Sequence, residues 1–122
     1  MEENFINKLL VGNALTKLRH MSDDSIDLII TSPPYWNAVV YDKDTNTDYE
    51  TYLNLLTEIF TECSRVLRPN GKMAINTPLM PVPQSIIKQD VRHLKDISSD
   101  LSKKILSNTE LNLFSVYVWQ KQ

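Results

Sequence analysis

Ile26-Asp27-Leu28-Ile29-Ile30 runs straight into Thr31-Ser32-Pro33-Pro34, and this junction constrains the fold more than any other stretch of the chain. The apolar run is rich in β-branched residues and does not alternate with polar ones, the pattern of a strand buried on both faces of a parallel sheet. Two consecutive prolines then end it. Each fixes its own φ, removes a backbone donor and holds the residue before it extended. Ligands of open α/β sheets bind outside the carboxyl ends of the strands, so the place where this strand stops is a candidate site.

The segments on either side read as strands and helices in alternation. Leu9-Leu10-Val11, within Lys8 to Val11, is a candidate strand, and Gly12-Asn13 then turns into a short helix with Asn13 as its cap and Leu15 and Leu18 inward. Ser22-Asp23-Asp24-Ser25 is a polar break before the β-branched run. Thr47 and Glu50 have the spacing of a capping box. Tyr52, Leu55, Leu56, Ile59, Phe60, Cys63, Val66 and Leu67 follow at intervals of three and four, which predicts a long amphipathic helix. Arg68-Pro69-Asn70-Gly71 should stop that helix, and Lys72 to Asn76 reads as the next strand, completing a strand-helix-strand unit. Prolines 78, 81 and 83 predict an extended loop from Thr77 to Pro83. Ile87, Val91 and Leu94 have helical spacing, and Ser98 or Ser99 could cap a further helix carrying Leu101, Ile105 and Leu106. Leu113 to Trp119 has the aromatic and β-branched content of a strand. A sheet of about four strands with few covering helices results, thin for a doubly wound domain.

With 122 residues, 42% of them hydrophobic, the chain is enough for one domain with a core of its own. One cysteine excludes an internal disulfide, and with two histidines it is too little for a zinc site, so no metal is expected. No apolar run approaches the ~18 residues of a membrane span, and Met1-Glu2-Glu3 has the wrong charge for a secretory leader, so a soluble cytoplasmic protein is expected. Only Gly12 and Gly71 are present where average usage of ~7% would give about eight, and no glycine-rich nucleotide cradle can be written. The net charge of −2 neither advertises nor excludes a phosphate-binding surface.

Thr31 to Trp36 therefore carries the chemistry. The prolines leave the Ser32 and Pro33 carbonyls facing outward beside a serine hydroxyl and two aromatic rings, Tyr35 and Trp36. Such a group suits a flat, amine-bearing ring, although a rigid turn with two aromatics lying over the core fits the same hexapeptide. Gly12-Asn13-Ala14-Leu15, Leu18, Ser25 to Trp36, Tyr52-Leu53 and Arg65-Val66-Leu67-Arg68-Pro69-Asn70-Gly71-Lys72, in that order, closely resemble the amino-terminal half of the DNA amino-methyltransferases. The resemblance is to their permuted, beta class, in which the catalytic motif precedes the cofactor glycine motif. It covers about Leu9 to Asn76 well and extends more loosely to Gln122.

The resemblance implies a partial Rossmann-like methyltransferase fold, with a mostly parallel sheet and flanking helices, and S-adenosylmethionine as cofactor. It implies that the target base is flipped out of double-stranded DNA, with Tyr35 and Trp36 binding it. Ser32, Pro33, Pro34 and Tyr35 would form the catalytic motif, and Asn13, Thr31 and Ser32 would contact the cofactor. The serine-first tetrapeptide followed by Trp looks most like the cytosine-N4 enzymes of restriction-modification systems, with adenine-N6 as the alternative. Asn13 stands where the family commonly has an acidic residue, and a plain helix cap explains it equally well. The family's Phe-x-Gly-x-Gly motif and its target-recognition region are absent from residues 1–122, which read as a single partial catalytic domain. The cofactor site is accordingly incomplete, and the isolated chain is expected to be inactive without a carboxyl-terminal half or a complementary chain. A non-catalytic interaction module that retains the sheet, or a homodimer formed through an uncovered sheet, are the competing readings.

Other candidates have plainer explanations. Lys88, Arg92 and Lys95, near His93, could form a phosphate-contacting stripe, yet a solvated helix face accounts for them. Asp42, Asp44 and Asp48 lack the glycine and distal glutamate of a calcium loop. In the family the loop following the motif closes over the base, which would make Asn37 to Asp48 mobile. Trp119 reads as packing at a strand end, His20 as surface at a helix end and Cys63 as core.

Overall fold

The structure is a computed structural model that describes residues 5–36, 48–82 and 93–120. Strand β1 (Ile26–Thr31) pairs in parallel with β2 (Leu67–Ile75), and helix α2 (Tyr49–Val66) lies between them in sequence, as the strand-helix-strand reading requires. Helix α1 (Ala14–Arg19) precedes this unit. The antiparallel pair β3 (Leu79–Val82) and β4 (His93–Asp96) and helix α3 (Ile97–Asn108) follow it. The result is an α/β arrangement with a parallel pair and flanking helices.

Asn13 caps α1 as expected, its Oδ1 accepting from the Thr16 N–H at 3.1 Å, and His20 is exposed at the other end of that helix. Asp48 caps α2, its carboxylate accepting from the Thr51 N–H at 2.7 Å; Thr47, the expected cap, lies outside the described residues. Leu53, Leu56, Phe60 and Cys63 form the buried stripe of α2 with Tyr52 and Val66, whereas Leu55, expected inside, is 53% exposed. Its place on the helical wheel falls on the flank opposite Leu53. Helix α3 starts at Asp96, which accepts from both the amide and the hydroxyl of Ser99, so the serines expected to cap it lie within its first turn. Ile97, Leu101 and Ile105 face the α2 stripe, and Leu106 stays partly outside. Burial, aided by the Glu62 carboxylate, pushes the Cys63 thiol up to about 11, which leaves it a neutral core group.

Arg65 ties the helices together. Its guanidinium donates to the Leu18 and Met21 carbonyls and to the Asp23 and Glu62 carboxylates, while its own carbonyl accepts from Asp24 N–H. The planar fork of arginine makes such simultaneous donation possible.

Several expectations are corrected. Helix α2 ends at Val66, and Arg68-Pro69-Asn70-Gly71 bulges out within β2: the step from Ile26 to Leu28 on β1 is matched by the step from Leu67 to Lys72 on β2. Among the described residues, strand β1 is covered on one face only. Ile29 packs toward the core with Met73 and Ile75, while Leu28 and Ile30 are 55% and 73% exposed. Leu9 to Val11 and Leu113 to Trp119 form no strand, because a strand requires a neighbour for its amides and carbonyls and none pairs with them among the described residues. Trp119 is accordingly open to solvent rather than packed. The expected loop from Thr77 to Pro83 contains β3, and Leu94, expected on a helix, lies in β4 opposite Pro81. Proline's extended φ suits a strand, and a two-stranded pair has outward edges where its missing N–H costs no ladder bond. Among the described residues, two sheets of two strands thus replace the single sheet of about four. The expected helix positions Ile87 and Val91, the stripe residues Lys88 and Arg92, the loop residues 37–47 and the start of the chain lie outside the described residues.

Candidate active site

The motif leaves the sheet at the carboxyl end of β1. There the two parallel strands are joined by Asn76 N–H donating to the Thr31 carbonyl at 3.0 Å, and by a long contact of 3.5 Å from the Ser32 hydroxyl to the Asn76 carbonyl. Thr31 is half-buried, Ser32 and Pro34 are exposed, Pro33 is buried and Tyr35 is half-buried. Trp36 is 7% exposed and belongs to the core.

The first turn of α2 holds this segment in place. The Tyr52 hydroxyl donates to the Pro34 carbonyl at 2.6 Å. Tyr49 meets the Trp36 ring edge-on, with centroids 5.0 Å apart, and stacks against Tyr52 at 6.3 Å. Its hydroxyl donates to Asp100 of α3 at 2.5 Å. Desolvation, followed by the Asp100 carboxylate, raises the Tyr49 pKa far above the usual phenol value, so Tyr49 remains a donor over the physiological range.

Thr31 to Trp36 thus form one contiguous group, whereas the Asn13 side chain is engaged within its own helix, bonding Thr16. Sequence reasoning does not single out Tyr49 or Asp100, and it takes Tyr52 as part of the apolar stripe and of the family resemblance, with no bond to the motif. A usable signal exists in Tyr49 and Tyr52, three residues apart at a helix start, because a buried tyrosine needs a partner for its hydroxyl. Among the described residues no cluster of three or more His, Cys, Asp or Glu could hold a metal ion, and no helix is long and apolar enough to cross a membrane.

Comparison with known proteins places this geometry. The sequence profile of the N6_N4_Mtase family, described as DNA methylase, matches residues 26–122, which include the whole motif, α2 and β2. The type II methyltransferase M.HpaI of Haemophilus parainfluenzae is 41% identical over 69 residues, covering 56% of this chain and 22% of its own length. M.BglII of Bacillus subtilis is 40% identical over 68 residues, 56% of this chain and 18% of that protein. The type II beta methyltransferase M.BslI of Bacillus sp. (strain NEB-606) is 26% identical over 125 aligned residues, covering 97% of this chain and 12% of its own. Among solved structures, TTHA0409 of Thermus thermophilus, a candidate DNA modification methylase crystallised with S-adenosyl-L-methionine, superposes with a TM-score of 0.66 at 26% identity. That match covers 80% of this chain and 37% of TTHA0409. The chain therefore spans about a fifth of M.HpaI and M.BglII and under two fifths of TTHA0409. On the matched profile and the fold alike, the chain belongs to the DNA methylase family.

Proposed function

We propose that these residues are the catalytic amino-terminal part of a type II DNA methyltransferase, moving a methyl group from S-adenosylmethionine to the exocyclic amine of a flipped base, with cytosine N4 favoured. The observation that carries this reading is the hexapeptide at the carboxyl end of a parallel strand, with Ser32 and Pro34 exposed and the segment fixed to α2 through Tyr52. The serine-first motif followed by Trp36 favours cytosine; adenine N6 is the alternative.

Polar groups on Asn13, Thr31 and Ser32 are of a kind that would hold S-adenosylmethionine. Asn13, which retains an amide nitrogen beyond its capping oxygen, and Thr31 and Ser32, with the exposed Ser32 hydroxyl, would contact it. S-adenosylmethionine supplies a methyl group bonded to a positively charged sulfur. Toward the base, the Ser32 hydroxyl and the Pro33 carbonyl accept hydrogen bonds from the amine, which keeps its lone pair out of the ring and makes nitrogen the nucleophile. The methyl would pass to that nitrogen with the cofactor's sulfur leaving as a neutral thioether, and the amine proton would be released to solvent. Tyr35 stacks on the base, a contact worth ~1–3 kcal/mol. Trp36, with its ring sealed against Tyr49, anchors the motif, so stacking rests with Tyr35.

The natural protein, purified from its host with whatever chain or residues accompany these, is expected to methylate duplex DNA and to yield N4-methyldeoxycytidine on digestion to nucleosides. Tyr35→Ala is expected to slow transfer by roughly 5- to 150-fold, the loss of one stacking contact. A full rate in that variant would remove Tyr35 from the site, and N6-methyldeoxyadenosine would select the alternative base. The 122-residue chain alone is expected neither to transfer methyl nor to bind the cofactor tightly. One observation favours a second reading, an interaction module without catalysis: Leu9, Val11, Tyr117 and Val118 are each at least 88% exposed, a surface suited to a partner. A natural assembly that forms stably yet never methylates DNA would support it.

A further inference from the structure

Backbone freedom through the motif is removed one torsion at a time. The rings of Pro33 and Pro34 fix both of their φ angles, and the residues preceding a proline, Ser32 and Pro33, are confined in ψ. The first torsion that this sequence leaves open is ψ of Pro34, which sets the direction of the Pro34 carbonyl. Because the following peptide is planar, the same torsion sets the plane from which Tyr35 departs. The Tyr52 hydroxyl bonds that very carbonyl at 2.6 Å. On the other side of Tyr35, the Trp36 ring lies against Tyr49, one helical turn from Tyr52 and stacked on it. Tyr49 is itself tied to Asp100 of α3. The residues immediately before and after Tyr35 are therefore gripped by one turn of α2, braced from a second helix.

We propose that Tyr52 is a positioning residue for the methyltransferase: by holding the Pro34 carbonyl it orients Tyr35 for the flipped base, in a clamp that Tyr49 completes through Trp36. The catalytic part of this inference rests on the function proposed above; the clamp itself does not. A ring held in advance loses no orientational freedom when the base arrives, so the effect belongs to the transfer rate more than to the affinity for DNA.

Tyr52→Phe tests this, since it keeps the ring and its stack on Tyr49 and removes only the hydroxyl. Thr61→Val, which deletes another hydroxyl bonded within α2 and away from the motif, is the comparison. In the 122-residue chain, the NMR order parameter of the Tyr35 amide is expected to fall from about 0.85 toward 0.6 in Tyr52→Phe and to stay unchanged in Thr61→Val. In the natural protein, kcat for methylation is expected to drop roughly two- to tenfold in Tyr52→Phe, with the KM values for DNA and cofactor held. An unchanged order parameter overturns the clamp. A looser Tyr35 with an unchanged kcat, or a loss confined to KM, overturns the positioning role. A wild-type protein that transfers no methyl group overturns the proposed function and the catalytic role with it, while the order parameter still decides the clamp.

Discussion

Gly71 is irreplaceable on grounds of space. A Cβ there would lie 2.8 Å from the Arg68 carbonyl oxygen and 3.2 Å from that of Asp27, both backbone atoms that move only with the strands. Gly71→Ala is therefore expected to lower stability by about 1–3 kcal/mol in chemical denaturation. Asn70→Gly, at a left-handed φ of 69°, should change little by comparison. A variant of Gly71 as stable as the parent would mean that the bulge gives way easily. Residues of this kind differ in how far their roles can be read from sequence. Asn13 announced itself, because a cap acts on amides two or three residues away and the pattern is local. Tyr52 did not, because its partner Pro34 is 18 residues distant and nothing local distinguishes a tyrosine that fills a stripe from one that also holds a carbonyl. The place of Ser32 and Tyr35 at the end of β1 was legible from the β-branched run before them and the prolines between them.

Helices α2 and α3 share a device at their starts. Asp48 and Asp96 each accept hydrogen bonds from a residue three places on, and those bonds hold both carboxyls below the ordinary aspartate range. The backbone amide of Thr51 is the main cause at Asp48, and the hydroxyl of Ser99 at Asp96. Since the folded pKa values are depressed, the capping contribution is fully present above about pH 4 and is lost as the pH falls through the folded values. An Asp48→Asn, Asp96→Asn double variant keeps cap-forming side chains that do not titrate. It is expected to lose less helicity than the parent between about pH 5 and 2 in far-ultraviolet circular dichroism. Coincident acid transitions would show that the caps play no part. Helices were the legible elements, since a period of 3.6 is written within the segment itself. Strands were not. Leu113 to Trp119 has strand composition without a strand, and Leu79–Val82 forms one despite its proline, because pairing depends on what lies alongside.

At the scale of the molecule, apolar surface is distributed unevenly. One helical layer is packed around Leu53, Phe60, Ile97 and Leu101, while Leu28, Ile30, Leu9 and the stretch from Leu113 to Trp119 face outward. Lys72 lying 5.1 Å over the Phe114 ring is a cation–π contact that leaves that ring 83% exposed. The isolated chain is expected to bind hydrophobic dyes and to gain mass with concentration in analytical ultracentrifugation, and a Phe114→Glu, Val116→Glu variant should shift it toward monomer. A parent that stays monomeric at high concentration would show that these residues find cover within the chain. The relatives, of which this chain represents about a fifth, have ample further polypeptide with which to cover such a surface. The contrast also divides the light the protein emits. Of its two tryptophans, Trp36 sits sealed beside Tyr49 and Trp119 stands in water, so a single ultraviolet excitation carries a blue component that reports on the grip around Tyr35 and a red one that reports on the open end of the chain.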